Sequence, residues 1–170
     1  ASGSVVNEAA GMGIPTLIQE QNSYAGITNK LLGKKVNTIC VAFEGMEKFF
    51  PGEKIILTGN PVRKDIINLY SKKQSAYKAF GLDNERKTLL VLGGSLGSAT
   101  LNKCLAEGIE QLKKEGINVL WQTGKIYFDR YKDLQSEHIK VVDFIKTMDL
   151  AYAMADVVIS RAGALSIAEL

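Results

Sequence analysis

The chain has 170 residues and a mass of 18.5 kDa, with 46% hydrophobic and 23% charged residues. These values are typical of a globular protein and exclude a disordered or collagen-like chain. The net charge is +3, with 10 Lys/Arg against 8 Asp/Glu in residues 1–85 and 11 against 10 in residues 86–170. Neither half is basic enough for a nucleic-acid-binding surface, so we expect no nucleic-acid partner.

Short apolar runs alternate with helical periodicity along the chain. The runs that predict strands are residues 15–18, 36–43, 54–57, 88–92, 118–122, 139–142 and 156–159. They are nearly continuous in apolar residues, which is typical of parallel strands covered on both faces. Apolar residues at three- and four-residue steps predict a helix over 98–115 and a shorter helix before Asp156. This alternation predicts an α/β fold with doubly wound parallel sheets.

A charged segment, residues 64–86, separates two α/β stretches. We therefore predict that residues 1–63 end one Rossmann-like domain, that residues 64–86 are a connector, and that residues 87–170 begin a second Rossmann-like domain. The chain opens without an initiator Met and closes on an amphipathic run with no Gly or Pro stop signal. We expect it to be an internal piece of a longer protein.

Metal and membrane signals are weak in this sequence. Cys40 and Cys104 are far apart and His138 is the single histidine, so no zinc-binding set is present. Their apolar neighbours predict two buried free thiols in a reducing compartment. No apolar run approaches the roughly 20 residues of a membrane span, and no signal-peptide pattern is visible. Because no Asp-x-Asp pair occurs, a metal-held diphosphate is disfavoured, and we expect no metal and no organic cofactor.

The first candidate site is a glycine turn, residues 92–98 (LGGSLGS), which follows a predicted strand and opens the long predicted helix. Glycines allow a sharp turn, and a helix start directs backbone N–H groups and the positive dipole end at an anion. The natural ligand is a phosphate, although the pattern is neither a P-loop nor the dinucleotide fingerprint. The alternative is a tight structural turn with Ser98 as the helix N-cap.

The second candidate is residues 160–169 (SRAGALSIAE), which also lead from a strand into a helix. Ser166 adds a hydroxyl, and Glu169 can accept hydrogen bonds from two vicinal hydroxyls, as acidic residues do with ribose. The alternative places Glu169 on a solvated helix face. We expect both turns at the same edge of the sheet, where open α/β sheets bind ligands, and together they favour a nucleotide-type ligand.

Three further segments each allow two interpretations. Arg63, after an Asn-Pro turn, is either a cleft donor or an ordinary surface arginine. Residues 19–22 (QEQN) suit hydroxyl-rich ligands such as sugars, or form a polar loop in which Asn22 caps a helix. Residues 30–35 mix apolar and basic side chains, which fits an anionic membrane surface or a solvated helix end.

Taken in order, the segments GIPTLIQEQNSYAGITNKLL, TGNPVR, LLVLGGSLGSATLN and VVDFIKTMDLAYAMADVVISRAGALSIAEL resemble the MurG family of peptidoglycan glycosyltransferases. The resemblance implies a GT-B architecture, with two Rossmann-like domains facing a cleft. It implies an inverting transfer of N-acetylglucosamine from UDP-N-acetylglucosamine to the undecaprenyl-linked muramyl-pentapeptide. It also implies a cytoplasmic enzyme that is peripheral on the inner face of the cell membrane.

The resemblance also implies roles for individual residues. Asn22 and Arg63 would contact the donor from the first domain, Ser95 would be the polar donor-site residue of the glycine turn, and Ile145 would offer backbone groups to uracil. The last segment would hold the diphosphate at its helix start, with Glu169 on the ribose hydroxyls; this segment comprises Ala164, Leu165, Ser166, Ile167, Ala168 and Glu169.

Some family features have no counterpart in this sequence. Many relatives have His where Gln19 stands, and the family's amino-terminal glycine-rich loop and its sugar-reading glutamines are absent. We therefore expect little or no transferase activity from this chain alone. Two alternatives remain open: another GT-B enzyme of UDP-sugars, such as a UDP-N-acetylglucosamine epimerase, and a nucleotide-binding module without catalysis.

Overall fold

A computed structural model describes residues 2–170 of the chain. Its α-helices are α1 (Ser2–Gly11), α2 (Ile27–Gly33), α3 (Lys73–Phe80), α4 (Ala99–Lys114), α5 (Phe128–Tyr131), α6 (Met148–Met154) and α7 (Ala164–Glu169). Its strands are β1 (Leu17–Glu20), β2 (Thr38–Val41), β3 (Ile55–Leu57), β4 (Thr88–Leu92), β5 (Asn118–Gln122), β6 (Ile139–Val142) and β7 (Val157–Ser160). Short 3-10 helices lie at Met46–Lys48, Gly52–Lys54, Lys64–Ile66, Tyr70–Lys72 and Lys132–Leu134.

The chain divides into two compact units. The first runs to Val62 and includes Leu170, and the second comprises Arg63–Glu169. The first unit contains a three-stranded parallel sheet in the order β1-β2-β3. Ile39 and Val41 of the central strand are fully buried, and Ile18, Leu32 and Phe50 pack against them.

The second unit contains a four-stranded parallel sheet in the order β6-β5-β4-β7. Alternate side chains of β4 point to opposite faces of this sheet. Leu90 and Leu92 belong to the core that α3 and α6 cover, whereas Val91 belongs to the core under α4 and α5. Helices therefore cover both faces, and the predicted doubly wound parallel α/β fold is confirmed.

Most of the predicted elements lie where the patterns place them. The strands β4, β5 and β6 have the predicted bounds, and α4 lies within the predicted 98–115. The apolar run 15–18 lies two residues ahead of β1, which instead includes the polar pair Gln19 and Glu20. The helices α1 and α5 were not predicted, because neither segment has a clear apolar stripe.

Residues 64–86 are helical or irregular, as predicted, and they pack into the second unit. Ile66, Ala76, Tyr77 and Leu82 from this segment are buried in the core beside β4. The proposed domain boundaries stay a prediction, since the two compact units are defined by packing alone.

The two cysteines are free thiols, but the prediction that both are buried was wrong. Cys40 is half-buried and Cys104 is exposed. Cys104 lies on α4 one residue before the buried Leu105, and its side chain lies outside the buried apolar face of the helix. None of the helices within residues 2–170 combines the length and apolar character needed to cross a membrane.

A buried amide joins α4 to β5 in the second unit. Asn102 is completely buried; its Nδ2 donates to the carbonyl oxygen of Thr123 at 2.9 Å, and its Oδ1 accepts from Nε1 of Trp121 at 2.9 Å. Both partners are themselves fully buried. The amide therefore satisfies two polar groups that water does not reach.

Replacing Asn102 by Leu should destabilise the second unit. The substitution leaves the Trp121 N–H and the Thr123 carbonyl without their partners, at a cost of about 1–3 kcal/mol for each group. Urea unfolding followed by far-UV circular dichroism measures the loss. Asn84→Leu, in an exposed turn of the same unit, is the control and should change stability by less than about 0.5 kcal/mol. Equal effects of the two substitutions would contradict the prediction.

Candidate functional site

The carboxyl-terminal edge of the second sheet provides the place for a site. After β4 the chain moves outward to β5 and β6, then returns to the other side of β4 as β7. The strand order therefore reverses between β4 and β7, and open α/β sheets bind ligands at such a reversal. Leu92 is paired with Ser160 at the ends of these two strands, so the turns that follow them begin side by side.

A cavity of about 450 Å³ lies at this edge. Its volume is within the range of small-molecule sites, roughly 300–1,000 Å³. It is lined by Leu92, Gly94, Gln122, Phe144, Ile145, Met148, Tyr152, Arg161, Ala162, Gly163, Ser166 and Glu169. Both glycine turns therefore contribute to one cavity, and the expectation that they share an edge is confirmed; the ligand itself stays a prediction.

The glycine turn after β4 has a conformation that its glycines make possible. Gly94 and Gly97 have φ angles of 85° and 83°, in the left-handed region. Gly97 also lies so close to the carbonyl oxygen of Thr123 that a β-carbon would collide with it. Ser98 caps α4 by accepting a hydrogen bond from the Leu101 N–H at 3.4 Å, as the alternative interpretation of this turn expected. Gly94 lines the cavity, whereas Ser95 is exposed and is not among the lining residues.

The segment after β7 presents only one face to the cavity. Gly163, Ser166 and Glu169 line it, at the three-residue spacing of one helix face. Leu165 and Ile167 are exposed and, like Ala164 and Ala168, are not among the lining residues. The side chains of these four residues therefore take no part in the cavity wall.

Two neighbours hold the carboxylate of Glu169. Its Oε1 lies 3.2 Å from Nε of Arg63, and its Oε2 accepts a hydrogen bond from the Tyr152 hydroxyl at 3.1 Å. Arg63 and Glu169 were both predicted as site residues, and the structure brings them together. Burial, with help from the Glu169 hydrogen bond, raises the pKa of Tyr152 to about 12, so its hydroxyl stays protonated and donates at neutral pH.

Gln122, at the end of β5, joins two of the loops that line the cavity. Its Nε2 donates to the Gly94 carbonyl at 3.1 Å, and its Oε1 accepts from the Ile145 N–H at 2.8 Å. Gln122 is 5% exposed and Ile145 is 3% exposed. The donor and acceptor ends of one amide are therefore both used, and they fix the two loops relative to each other.

Sequence reasoning assigned no role to Gln122, Tyr152 or Arg161. A glutamine directly after the apolar run 119–121 is a signal for Gln122, because a buried amide needs partners. Tyr152 lies in an apolar helix, where it is indistinguishable from a core aromatic. Arg161 lines the cavity and brings a positive charge to it; it lies within the candidate segment 160–169, but its side chain was given no role there.

Asn22 lies in the first unit, where Glu20 organises the loop around it. The Glu20 carboxylate accepts hydrogen bonds from the backbone N–H and side-chain amide of Asn22, from the Gly26 N–H, and from Nδ2 of Asn29, all at 2.9–3.2 Å. Asn22 does not cap α2, which begins after Gly26. Burial opposes ionisation of Glu20, but the bonds from Gly26, Asn29 and Asn22 outweigh it and lower the pKa of this carboxyl below 4.5.

Replacing Glu20 by Gln should remove a pH-dependent part of the stability. Because the folded-state pKa is lowered, the carboxylate stabilises fully above its unfolded pKa and loses this effect as pH falls through the folded value. At pH 7 the variant should be less stable by about 1–3 kcal/mol, and the difference should shrink below about pH 4.5. Urea unfolding between pH 7 and pH 3 measures this, with the exposed Glu47→Gln as control. A difference independent of pH would contradict the prediction.

Replacing Gln122 by Met should destabilise the cavity loops while preserving side-chain length. The Ile145 N–H loses its partner, and the Gly94 carbonyl keeps only the Gly97 N–H, so we expect a loss of about 1–3 kcal/mol in the free energy of unfolding. Gln111→Met, on the exposed surface of α4, is the matched control. If both variants unfold at the same urea concentration as the parent chain, Gln122 does not hold the loops.

Comparison with known proteins places the chain in a family. Residues 88–170 match the model of the glycosyltransferase family 28 C-terminal domain. The whole chain is 58% identical to the UDP-N-acetylglucosamine–N-acetylmuramyl-(pentapeptide) pyrophosphoryl-undecaprenol N-acetylglucosamine transferase of Cytophaga hutchinsonii and covers 46% of that protein. It is 53% identical to the enzyme of the same name from Flavobacterium psychrophilum, of which it covers 47%.

A solved structure shows the same relationship. The crystal structure of Acinetobacter baumannii MurG matches 99% of this chain with a TM-score of 0.64 and 30% sequence identity, and the chain covers 46% of it. The chain thus spans about half the length of the relatives it matches. The parallel α/β units, the shared cavity edge and these matches agree, and the chain belongs to the MurG family of GT-B glycosyltransferases.

Proposed function

We propose that this chain is part of a transferase that moves N-acetylglucosamine from UDP-N-acetylglucosamine to an undecaprenyl-linked muramyl-pentapeptide. The observation that carries this proposal is the single cavity lined by both glycine turns and by Glu169. The chemistry of that cavity suits a nucleoside diphosphate, and the names of the relatives supply the sugar and the acceptor.

The cavity offers a group for each part of the donor. Glu169 accepts from the ribose hydroxyls, and the exposed Arg161 lies where a positive charge would face the diphosphate. The turn around Ser95 and the start of the 16-residue helix α4 add backbone N–H groups and the positive end of a dipole. Ala164, Leu165, Ser166, Ile167 and Ala168 would hold the diphosphate at the start of α7; of these residues, Ser166 lines the cavity.

The base of the donor is assigned to the segment that contains Ile145. Its N–H already donates to Gln122, so its carbonyl oxygen is the group that remains for hydrogen bonding to a nucleobase. A carbonyl acceptor selects a base that presents an N–H donor, and uracil presents one at N3. Phe144 and Met148 supply apolar surface beside it.

In the proposed reaction, the acceptor's sugar hydroxyl attacks the anomeric carbon of N-acetylglucosamine as the bond to the diphosphate breaks. This displacement inverts the configuration at that carbon. Negative charge grows on the departing UDP, and the preorganised donors at the cavity stabilise it more than they stabilise the substrate. Loss of one such donor typically costs about a hundredfold in rate or more.

The first unit is proposed to contribute from the acceptor side. Residues 1–63 would end the acceptor-binding domain, residues 64–86 would connect the domains, and residues 87–170 would begin the donor-binding domain; the family match over 88–170 supports the last assignment. Asn22 would contact the donor from the first domain. Because the acceptor is lipid-linked, the full-length protein would work at the membrane as a peripheral enzyme, and its proposed location is the cytoplasmic face.

A transfer assay tests this proposal. The full-length protein that contains this chain should move labelled N-acetylglucosamine from UDP-N-acetylglucosamine to the lipid-linked acceptor. The 170-residue chain alone should show little or no transfer, because it spans only about half of the relatives' length. Release of an epimerised free sugar would instead indicate an epimerase, and UDP binding without turnover would indicate a binding module.

Glu169→Ala in the full-length protein should weaken UDP binding. The loss of charge-assisted hydrogen bonds to two hydroxyls corresponds to a decrease in affinity of about ten- to a hundredfold. Isothermal titration calorimetry measures it, and Glu110→Ala, which removes an exposed carboxylate on α4, is the matched control. Unchanged affinity in the Glu169 variant would remove this residue from the ribose role.

A further inference from the structure

The carboxylate of Glu169 is held on both of its oxygens. Arg63 contacts Oε1 and Tyr152 donates to Oε2, at 3.2 Å and 3.1 Å. The Glu169 side chain is 14% exposed and the Tyr152 residue is 8% exposed, whereas the Arg63 side chain is 43% exposed. The hydroxyl of Tyr152 is thus the better shielded of the two partners.

Tyr152 is placed rigidly enough to orient a second side chain. It lies on α6, and its ring packs in the core with Leu90, Leu92 and Ile145. It also lines the cavity, so its ring is anchored in the core while its hydroxyl reaches Glu169 at the cavity wall. The Arg63 side chain, by contrast, is 43% exposed, and a partly solvated ion pair constrains geometry weakly.

The two contacts leave hydrogen-bonding capacity on the carboxylate. An ionised carboxylate has about four lone-pair sites, and one partner on each oxygen uses two of them. The remaining sites lie in a plane that the two partners fix. A planar pair of acceptors with a fixed orientation is suited to two neighbouring hydroxyl groups, such as a ribose diol.

We infer that Tyr152 is a positioning residue that orients Glu169 toward the vicinal diol of a nucleotide ribose. This inference rests on the proposed function and adds Tyr152 as a residue that acts through Glu169 without contacting the ribose. Without the Tyr152 hydroxyl, the Glu169 side chain is held by Arg63 alone, and binding of the diol has to order the carboxylate. Recognition of the 2′-hydroxyl therefore depends on a side chain that does not itself contact the ribose.

The test compares UDP with 2′-deoxy-UDP in the full-length protein, by calorimetry. The unmodified protein should bind UDP about tenfold more tightly than 2′-deoxy-UDP, the difference expected for one lost hydrogen bond to a charged group. In Tyr152→Phe this preference should fall to about threefold or less, with affinity for 2′-deoxy-UDP nearly unchanged. The KM for the donor sugar should rise more than kcat falls.

Tyr77→Phe is the matched control. Tyr77 is 5% exposed, and its hydroxyl contacts Thr88 and the Met154 carbonyl, neither of which lines the cavity. This variant also loses a buried tyrosine hydroxyl in the second unit, so it reports any general effect on stability. It should retain the full preference for UDP over 2′-deoxy-UDP.

A second variant keeps the inference testable if Tyr152→Phe alone lowers stability. In a Glu169→Ala background, adding Tyr152→Phe should cause no further change in the preference between the two nucleotides. A further change would show that Tyr152 acts independently of Glu169 and would overturn the inference. An unchanged preference for UDP in the Tyr152→Phe variant would also overturn it. So would equal binding of UDP and 2′-deoxy-UDP by the unmodified protein. Failure to bind either nucleotide would instead overturn the proposed function.

Discussion

Parallel pairing of β4 with β7 is the interaction on which the cavity depends. It sets Leu92 beside Ser160, so two turns that are separated by more than sixty residues in sequence begin at neighbouring positions. Each turn alone is an ordinary strand-to-helix connection. Side by side at the reversal of strand order, they leave a space that β5 and the segment after β6 close from the other side.

Internal hydrogen bonds keep this cavity in shape without a ligand. Gln122 joins the first turn to the segment containing Ile145, and Asn102 joins α4 to the carbonyl of Thr123 beside that turn. The Tyr152 hydroxyl holds the Glu169 carboxylate in a similar way. A site whose polar side chains are already oriented loses less conformational freedom when a ligand binds, and more of the interaction energy remains as affinity.

The sequence predicts the strands and helices far better than it predicts these side-chain hydrogen bonds. Strands β4 to β6 were predicted with their observed bounds because most of their residues are apolar and buried, in spite of polar residues such as Asn118, Gln122 and Lys140. The end of β1 was misplaced because Glu20 is a buried strand residue whose charge is satisfied by a following loop, and such residues look like loop residues in a pattern. The bonds from Gln122 to Ile145 and from Tyr152 to Glu169 span 23 and 17 residues, and nothing local in the sequence specifies them.

The contact between Asn102 and Trp121 gives the chain a built-in optical reporter. Trp121 is the single tryptophan of the sequence, its ring lies 5.0 Å from that of Tyr131, and its indole N–H is bonded to the amide that also holds Thr123. The Thr123 carbonyl in turn lies against Gly97. Movement of the glycine turn therefore alters the surroundings of the only indole fluorophore, and emission from the unlabelled protein reports on the turn without any attached dye.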